Sequence, residues 1–214
     1  MDGPAWRARP HALAGQCIAH TEAWEGGAAL DRHFGAPADR RALGSLDAVH
    51  AAVAQGDCDL GLVPLESSQE GMVNRSHDLL FAGGVKVVGE LLHETGGGPA
   101  APACVRFGLI APPEHPADAL DDRLMVAVVL TERTGSLADL LRPLARRDIA
   151  IGHWCARPAR QDGWHYRFHF TLCAPADSED VRQALQDAAT QCRELRLLGR
   201  FRAARLGQPG RSAA

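Results

Sequence analysis

Leu124-Met-Val-Ala-Val-Val-Leu130 is an unbroken apolar run of strand length, followed at once by Thr134-Gly-Ser-Leu-Ala138. A run this short, bounded by turn residues, reads as a buried strand. Beyond it, Leu137, Leu140, Leu141 and Leu144 recur at helical spacing, so a helix capped by Thr134 is expected to reach Arg147. Ile149–Ala156 reads as a second strand and the alternating stretch Trp164–Cys173 as a third. Asp177 and Ser178 open a helix carrying Val181, Leu185 and Ala188, and Leu195–Phe201 is a last strand. The order β-α-β-β-α-β is the split, ferredoxin-like pattern.

Upstream, Ala111-Pro-Pro-Glu-His-Pro116 is a stiff, extended linker, and a domain boundary is placed there. The stretch before it alternates strands and helices. Ile18 marks a short strand, and Trp24–Phe34 a helix ended by Gly35. Ser45 caps a helix with Leu46, Val49, Ala52 and Val53 on its apolar face, stopped by Gly56. Asp59–Pro64 is a buried strand, Val73–Phe81 a helix, Val85–Glu90 a strand and Val105–Ile110 another. The small-residue stretch Thr95–Ala103 is a connector. This alternation predicts a parallel α/β sheet. The expected division is a tail at 1–12, an α/β lobe at 13–111, a linker at 112–122, a βαββαβ domain at 123–205 and a tail at 206–214.

The 214 residues are 46% apolar and 23% charged, enough to build a core without staples. The net charge of −3 leaves no electrostatic footprint for nucleic acid. No apolar run approaches the ~20 residues needed to span a bilayer, and the start of the chain lacks the apolar core of a signal peptide. The six cysteines form no CxxC pair and read mostly as buried free thiols, which suits a reduced, cytoplasmic compartment. His165 and His169 share a strand face without a third ligand at a recognisable spacing, so neither a metal nor a cofactor is expected. His20, Glu22 and Glu25 could form an acid–base set, but a solvated loop accounts for them better.

Two passages carry a family resemblance. Gly61-Leu-Val-Pro64-Leu-Glu66-Ser-Ser68-Gln-Glu-Gly71-Met-Val73-Asn74-Arg75, with Val87-Val-Gly89-Glu90 after it, is similar to the signature of prephenate dehydratase. Thr134–Ala138, Ala156-Arg157-Pro158, Tyr166-Arg-Phe168 and Leu198-Gly199 fall, in order over about 80 residues, where that family's regulatory ACT domain has its landmarks. The resemblance implies one lobe of a periplasmic-binding-protein-like parallel α/β domain followed by an ACT domain. It implies prephenate or an aromatic amino acid as small-molecule partner, and a homodimer formed through the ACT domain. It also implies candidate roles. Glu66, Ser67, Ser68 and Arg106 are catalytic candidates. Ser68, Asn74, Arg106 and Phe107 would bind substrate, and Gly135, Ser136, Leu137, Arg157 and Pro158 would hold an effector.

The departures from the family bear on chemistry. Ser67 stands where the family has asparagine, and Val105 where a threonine hydroxyl would assist the leaving group. The loop at Ala19–Glu25 has lost the family's glycines and serine. Cys155-Ala156 replaces a Glu-Ser pair. Only residues 91–104 separate two strands between which the family inserts a second lobe. Three functions follow. One is a prephenate dehydratase of L-phenylalanine biosynthesis. Another is a non-catalytic, homodimeric regulator or aromatic amino-acid sensor. The third is an enzyme reworked for elimination or decarboxylation on a related ring acid.

Overall fold

A computed structural model describes residues 15–34, 39–95, 103–131, 133–158 and 166–204. The tails expected at 1–12 and 206–214, Gly35, most of the 95–103 connector, Trp164 and His165 lie outside the described residues.

The first half contains β1 (Cys17–His20), α1 (Gly26–Phe34), β2 (Asp39–Ala42), α2 (Leu46–Ala54), β3 (Leu60–Ser67), β4 (Gly71–Met72), α3 (Asn74–Ala82), β5 (Lys86–Thr95) and β6 (Ala103–Ala111). The second contains β7 (Arg123–Leu130), α4 (Ser136–Ala145), β8 (Ala150–Pro158), β9 (Tyr166–Cys173), α5 (Glu179–Ala189) and β10 (Cys192–Phe201). The strands form one continuous sheet in the order β2-β1-β3-β6-β5-β10-β7-β9-β8, with β4 paired to β3.

The local signals hold where they are chemical. Ser45 accepts a hydrogen bond from the Ala48 amide, and Ser178 from that of Val181, so both helices start at their expected caps. Thr134 is not a cap. Gly135 occupies that position with φ 83°, a left-handed conformation that glycine adopts without steric cost, and α4 begins after it. The short strand β2 was not legible, because Asp39-Arg-Arg-Ala42 has no apolar pattern and pairs only at the sheet edge.

The expectation of an all-parallel first sheet is corrected. β1 runs parallel to β2 and β3, but β6 is antiparallel to both β3 and β5. Parallel neighbours need a crossover of about a dozen residues or more, and β5 and β6 are joined by far fewer. Of the six cysteines, Cys104, Cys155, Cys173 and Cys192 are free, and the free-thiol expectation is corrected for Cys17 and Cys58, which are disulfide-bonded. They lie 41 positions apart, and only the pairing of β1 beside β3 brings them together.

The sheet runs through the expected boundary. β10 meets β5 at Gly199 and Val87, while its other side pairs with β7. β7 explains its own apolar run. Leu124, Val126 and Val128 face α4 and α5, whereas Met125 and Ala127 join a core with Val49, Leu65, Leu80 and Val87 from the first half. With both faces covered, no position is free to be polar. β9 is covered on both faces too, but its inner face is polar. Arg167, His169 and Thr171 are buried there, so an alternation that resembles one dry and one solvated face conceals a buried polar junction.

Candidate functional site

β1, α1, β2, α2 and β3 place α1 against one face of the sheet and α2 with α3 against the other. The chain therefore switches faces between β1 and β3. In open α/β sheets ligands bind outside the carboxyl ends of strands at such a point. Two segments meet this region: the loop after β1, residues 21–25, and the turn after β3, residues 67–70.

The sequence candidates divide between the two faces. β3 carries a bulge at Leu65, since Pro64 is opposite Phe107 and Glu66 is opposite Arg106. An extra residue re-aims the side chain that follows it. Glu66 is thereby brought onto Arg106. The Arg106 Nε and Nη2 each donate to Glu66 Oε2 at 3.2 Å, and Nη1 donates to Glu90 Oε1 at 3.1 Å. Glu90 Oε2 in turn accepts from the Ala204 amide at 3.0 Å. His153 from β8 places Nδ1 3.2 Å from the same Glu66 oxygen, and burial lowers its pKa. Arg106 is 5% exposed. Each of its three nitrogens donates to one of the protein's own carboxylates, so a substrate carboxylate would have to compete with Glu66 and Glu90 for it.

Phe107, expected at the substrate, is instead a core side chain packed with Ile18, Leu30 and Leu91. Val105 is buried beside it and offers no hydroxyl. The Ser67 hydroxyl accepts from the amides of Gln69 and Glu70 and so closes the turn. Ser68 is exposed; its hydroxyl accepts from the Cys104 amide, and its own amide donates to the Cys104 carbonyl. Asn74 opens α3 and is exposed.

The 21–25 loop departs most from ordinary backbone. Trp24 and Glu25 both have positive φ, 65° and 58°. Such conformations cost non-glycine residues on the order of 1–3 kcal/mol each and persist only where surrounding contacts enforce them. One such contact is His93 on β5, whose Nε2 lies 3.2 Å from Glu25 Oε2. His20 Nδ1 lies 3.8 Å from Glu22. The expected set of His20, Glu22 and Glu25 is thus split into two pairs. No local pattern marks His93, because its partner is 68 positions away.

The effector candidates sit at one end of the second-half sheet. Val129 is level with Arg167, and Arg167 with Arg157. The Gly135-Ser136-Leu137 turn after β7 and the Arg157-Pro158 end of β8 therefore share that end. Arg157 is already engaged by Asp78 of α3. Cys155 stands where a carboxylate was expected, and burial pushes its thiol up to about 11, so it stays neutral.

The mixed α/β sheet matches the fold of prephenate dehydratase structures. The chain superposes on prephenate dehydratase from Streptococcus mutans with a TM-score of 0.72 at 22% identity, over 89% of this chain and 100% of that one. It superposes on the Arthrobacter aurescens prephenate dehydratase solved with L-Phe at 0.75 and 18% identity, over 88% and 90%. GqqA, described as a novel type of quorum quenching acylase, gives 0.76 at 17% identity, over 89% and 97%. In sequence, residues 21–96 match the family model for prephenate dehydratase. An Amycolatopsis methanolica prephenate dehydratase is 35% identical over 80 residues, which is 37% of this chain and 26% of that protein. The matched segment thus spans about a quarter of that curated relative.

Proposed function

We propose that this chain is a prephenate dehydratase-type protein of aromatic amino-acid biosynthesis that has kept the regulatory half and lost the dehydratase chemistry. Residues 13–111 form the remaining dehydratase-like lobe, and residues 123–205 a ferredoxin-like ACT domain that binds an aromatic amino acid and pairs with a second copy. The observation that carries the proposal is the closure of Arg106 on Glu66 and Glu90. Prephenate is a dicarboxylate, and its dehydration needs both carboxylates held and the departing hydroxyl assisted. The one guanidinium at the expected position is occupied, and Val105 has no proton to share.

The order β7-α4-β8-β9-α5-β10, the sheet order β10-β7-β9-β8 and the shared end of Gly135 and Arg157 support the ACT assignment. The L-Phe complex of the A. aurescens relative makes phenylalanine the first ligand to test. Incubation with prephenate should give no phenylpyruvate absorbance above buffer even at high protein concentration. Titration with L-phenylalanine should give heat, and sedimentation should report a dimer. Steady formation of phenylpyruvate would restore the dehydratase assignment. Silence with phenylalanine, tyrosine and tryptophan would remove the sensor.

A further inference from the structure

α4 and α5 pack on one face of the second-half sheet through Leu140, Leu144, Val181, Ala184 and Ala188. Outside that core the two helices leave a groove of about 700 Å³. Asp139, Arg142, Arg146 and Arg147 line it from the α4 side, and Asp187 and Thr190 from α5. Asp139, Arg142 and Arg146 recur at helical spacing, so they fall on one stripe of the helix and its C-cap. The stripe is opposite in sign to the whole chain. The protein carries a net charge of −3, yet three guanidiniums meet two carboxylates in this groove.

The carboxylates do not use up the cations. Among the described residues Arg142 engages only Asp139, through Nη2 at 2.7 Å, and Asp139 is shared with Arg133. Arg147 is held by two contacts, Nη2 on Asp187 at 2.8 Å and Nη1 on the Pro143 carbonyl at 3.2 Å. Arg146 is exposed and has no hydrogen-bond or ion-pair partner among the described residues. Cations often serve a helix C-terminus by facing its bare carbonyls. Here the Arg142 and Leu144 carbonyls already accept from the Arg146 and Arg147 amides, and the Asp187 carbonyl accepts from the Thr190 hydroxyl. Those carbonyls do not need the side chains of Arg142 and Arg146 as donors. Three like charges around one groove repel one another, and an anion between them removes that cost.

We propose that this groove binds a small phosphorylated molecule with at least two phosphate groups, held by Arg142, Arg146 and Arg147. A guanidinium presents its donors in a planar fork that fits two phosphate oxygens at once. Arg147 is already fixed, while Arg142 and Arg146 are exposed and able to close on a ligand. A single phosphate cannot engage three forks fully, so three forks call for a longer anion. The volume agrees, since about 700 Å³ lies in the range of sites for small molecules of nucleotide size. A nucleic-acid strand fits less well, because the chain as a whole is net negative. None of the three arginines is an effector candidate or a member of the Arg106 network, so the site stands apart from the proposed function.

The test is calorimetry on the full chain with inorganic phosphate, pyrophosphate and ATP, at low and at high salt. Pyrophosphate and ATP should bind, inorganic phosphate should bind about 10-fold more weakly or less, and added salt should weaken all three. Arg146→Gln should weaken pyrophosphate on the order of 10-fold, and Arg142→Gln added to it by a further factor of similar size. Asp139→Asn should act in the opposite direction and tighten binding, because it frees Arg142; a general loss of structure could not do that. Arg41→Gln, on the β2 edge, should match wild type. Melting curves check that each variant folds. Arg146→Lys keeps the charge and loses the fork; it stands in for a glutamine variant that does not fold, and should bind less tightly than wild type. No heat with pyrophosphate or ATP overturns the proposal. So does inorganic phosphate binding as tightly as pyrophosphate, or full affinity in the folded Arg142→Gln/Arg146→Gln variant. Titration with L-phenylalanine reports on a different site, so this proposal and the proposed function can fail separately.

Discussion

Asp78 on α3 accepts two hydrogen bonds from Arg157 on β8, at 2.9 Å from Nη2 and 3.4 Å from Nε, and so joins the two halves of the chain. Both side chains are largely buried, and Arg167 stacks over Phe81 one turn along the same helix, 3.7 Å from the ring centroid. A buried, two-point pair should couple strongly. In a double-mutant cycle with Asp78→Ala and Arg157→Ala, the coupling measured by urea unfolding should be about 1–3 kcal/mol. A coupling near zero would mean that this pair adds nothing to the other contacts between the halves.

Arg106→Ala removes the guanidinium that bridges Glu66 and Glu90. Glu90 is as buried as Arg106, and a buried charge left unpaired costs about 3–5 kcal/mol. The variant should unfold at correspondingly lower denaturant. Adding Glu90→Gln should recover part of the loss, because the uncompensated charge is then gone. If Arg106 were instead a free substrate-binding group, its removal would leave stability nearly unchanged.

The junction should also respond to pH. His77 and His169 stack edge-on with centroids 5.0 Å apart. Burial, the dominant cause, lowers His77 to about 4 and His169 to about 3. Unfolding returns both to the ordinary value near 6.5, so below that pH the unfolded chain binds more protons. Stability is complete above pH 6.5 and falls with acidification until the folded-state values are reached. The slope approaches about 1.4 kcal/mol per pH unit for each histidine. Melting temperature should drop from pH 7 to pH 5, and His169→Phe should flatten that drop. An unchanged slope in the variant would place the acid sensitivity elsewhere.

Gly199 is where β10 touches β5. A Cβ built there would lie 2.1 Å from the Val87 carbonyl oxygen and 2.6 Å from its amide nitrogen. Backbone cannot yield as a side-chain tip can. Gly199→Ala should therefore destabilise the protein by about 3 kcal/mol or more by denaturant melt, or abolish soluble expression. Gly44→Ala, whose Cβ would meet nothing, is the matched control.

Local chemistry was legible in the sequence. Ser45 and Ser178 cap their helices because a hydroxyl and an amide three residues on are neighbours in any fold. Leu124–Leu130 is a strand because its apolar run is short and bounded. The Gly61–Arg75 passage and the landmarks of the second half carried the family resemblance, and the family model covers the first of these. The candidate site was legible only as a list. Arg106 was named, but not its partners. Phe107 was named as a substrate contact and lies in the core. His93 was not named.

The sequence by itself determined most of the strands and helices, since periodicity and caps act over a few residues, but not the edge strand β2, which has no apolar pattern. Only the tertiary structure decided which face each side chain joins and what it meets there. The bulge at Leu65 turns Glu66 onto Arg106, and the short β5–β6 connection makes β6 antiparallel. The packing of α3 against β9 buries the polar side chains of an alternating strand. These outcomes depend on pairings between residues about 15 to more than 100 positions apart. Whether Arg106 is a free ligand-binding group or a filled ion pair is settled by distances that no local pattern encodes.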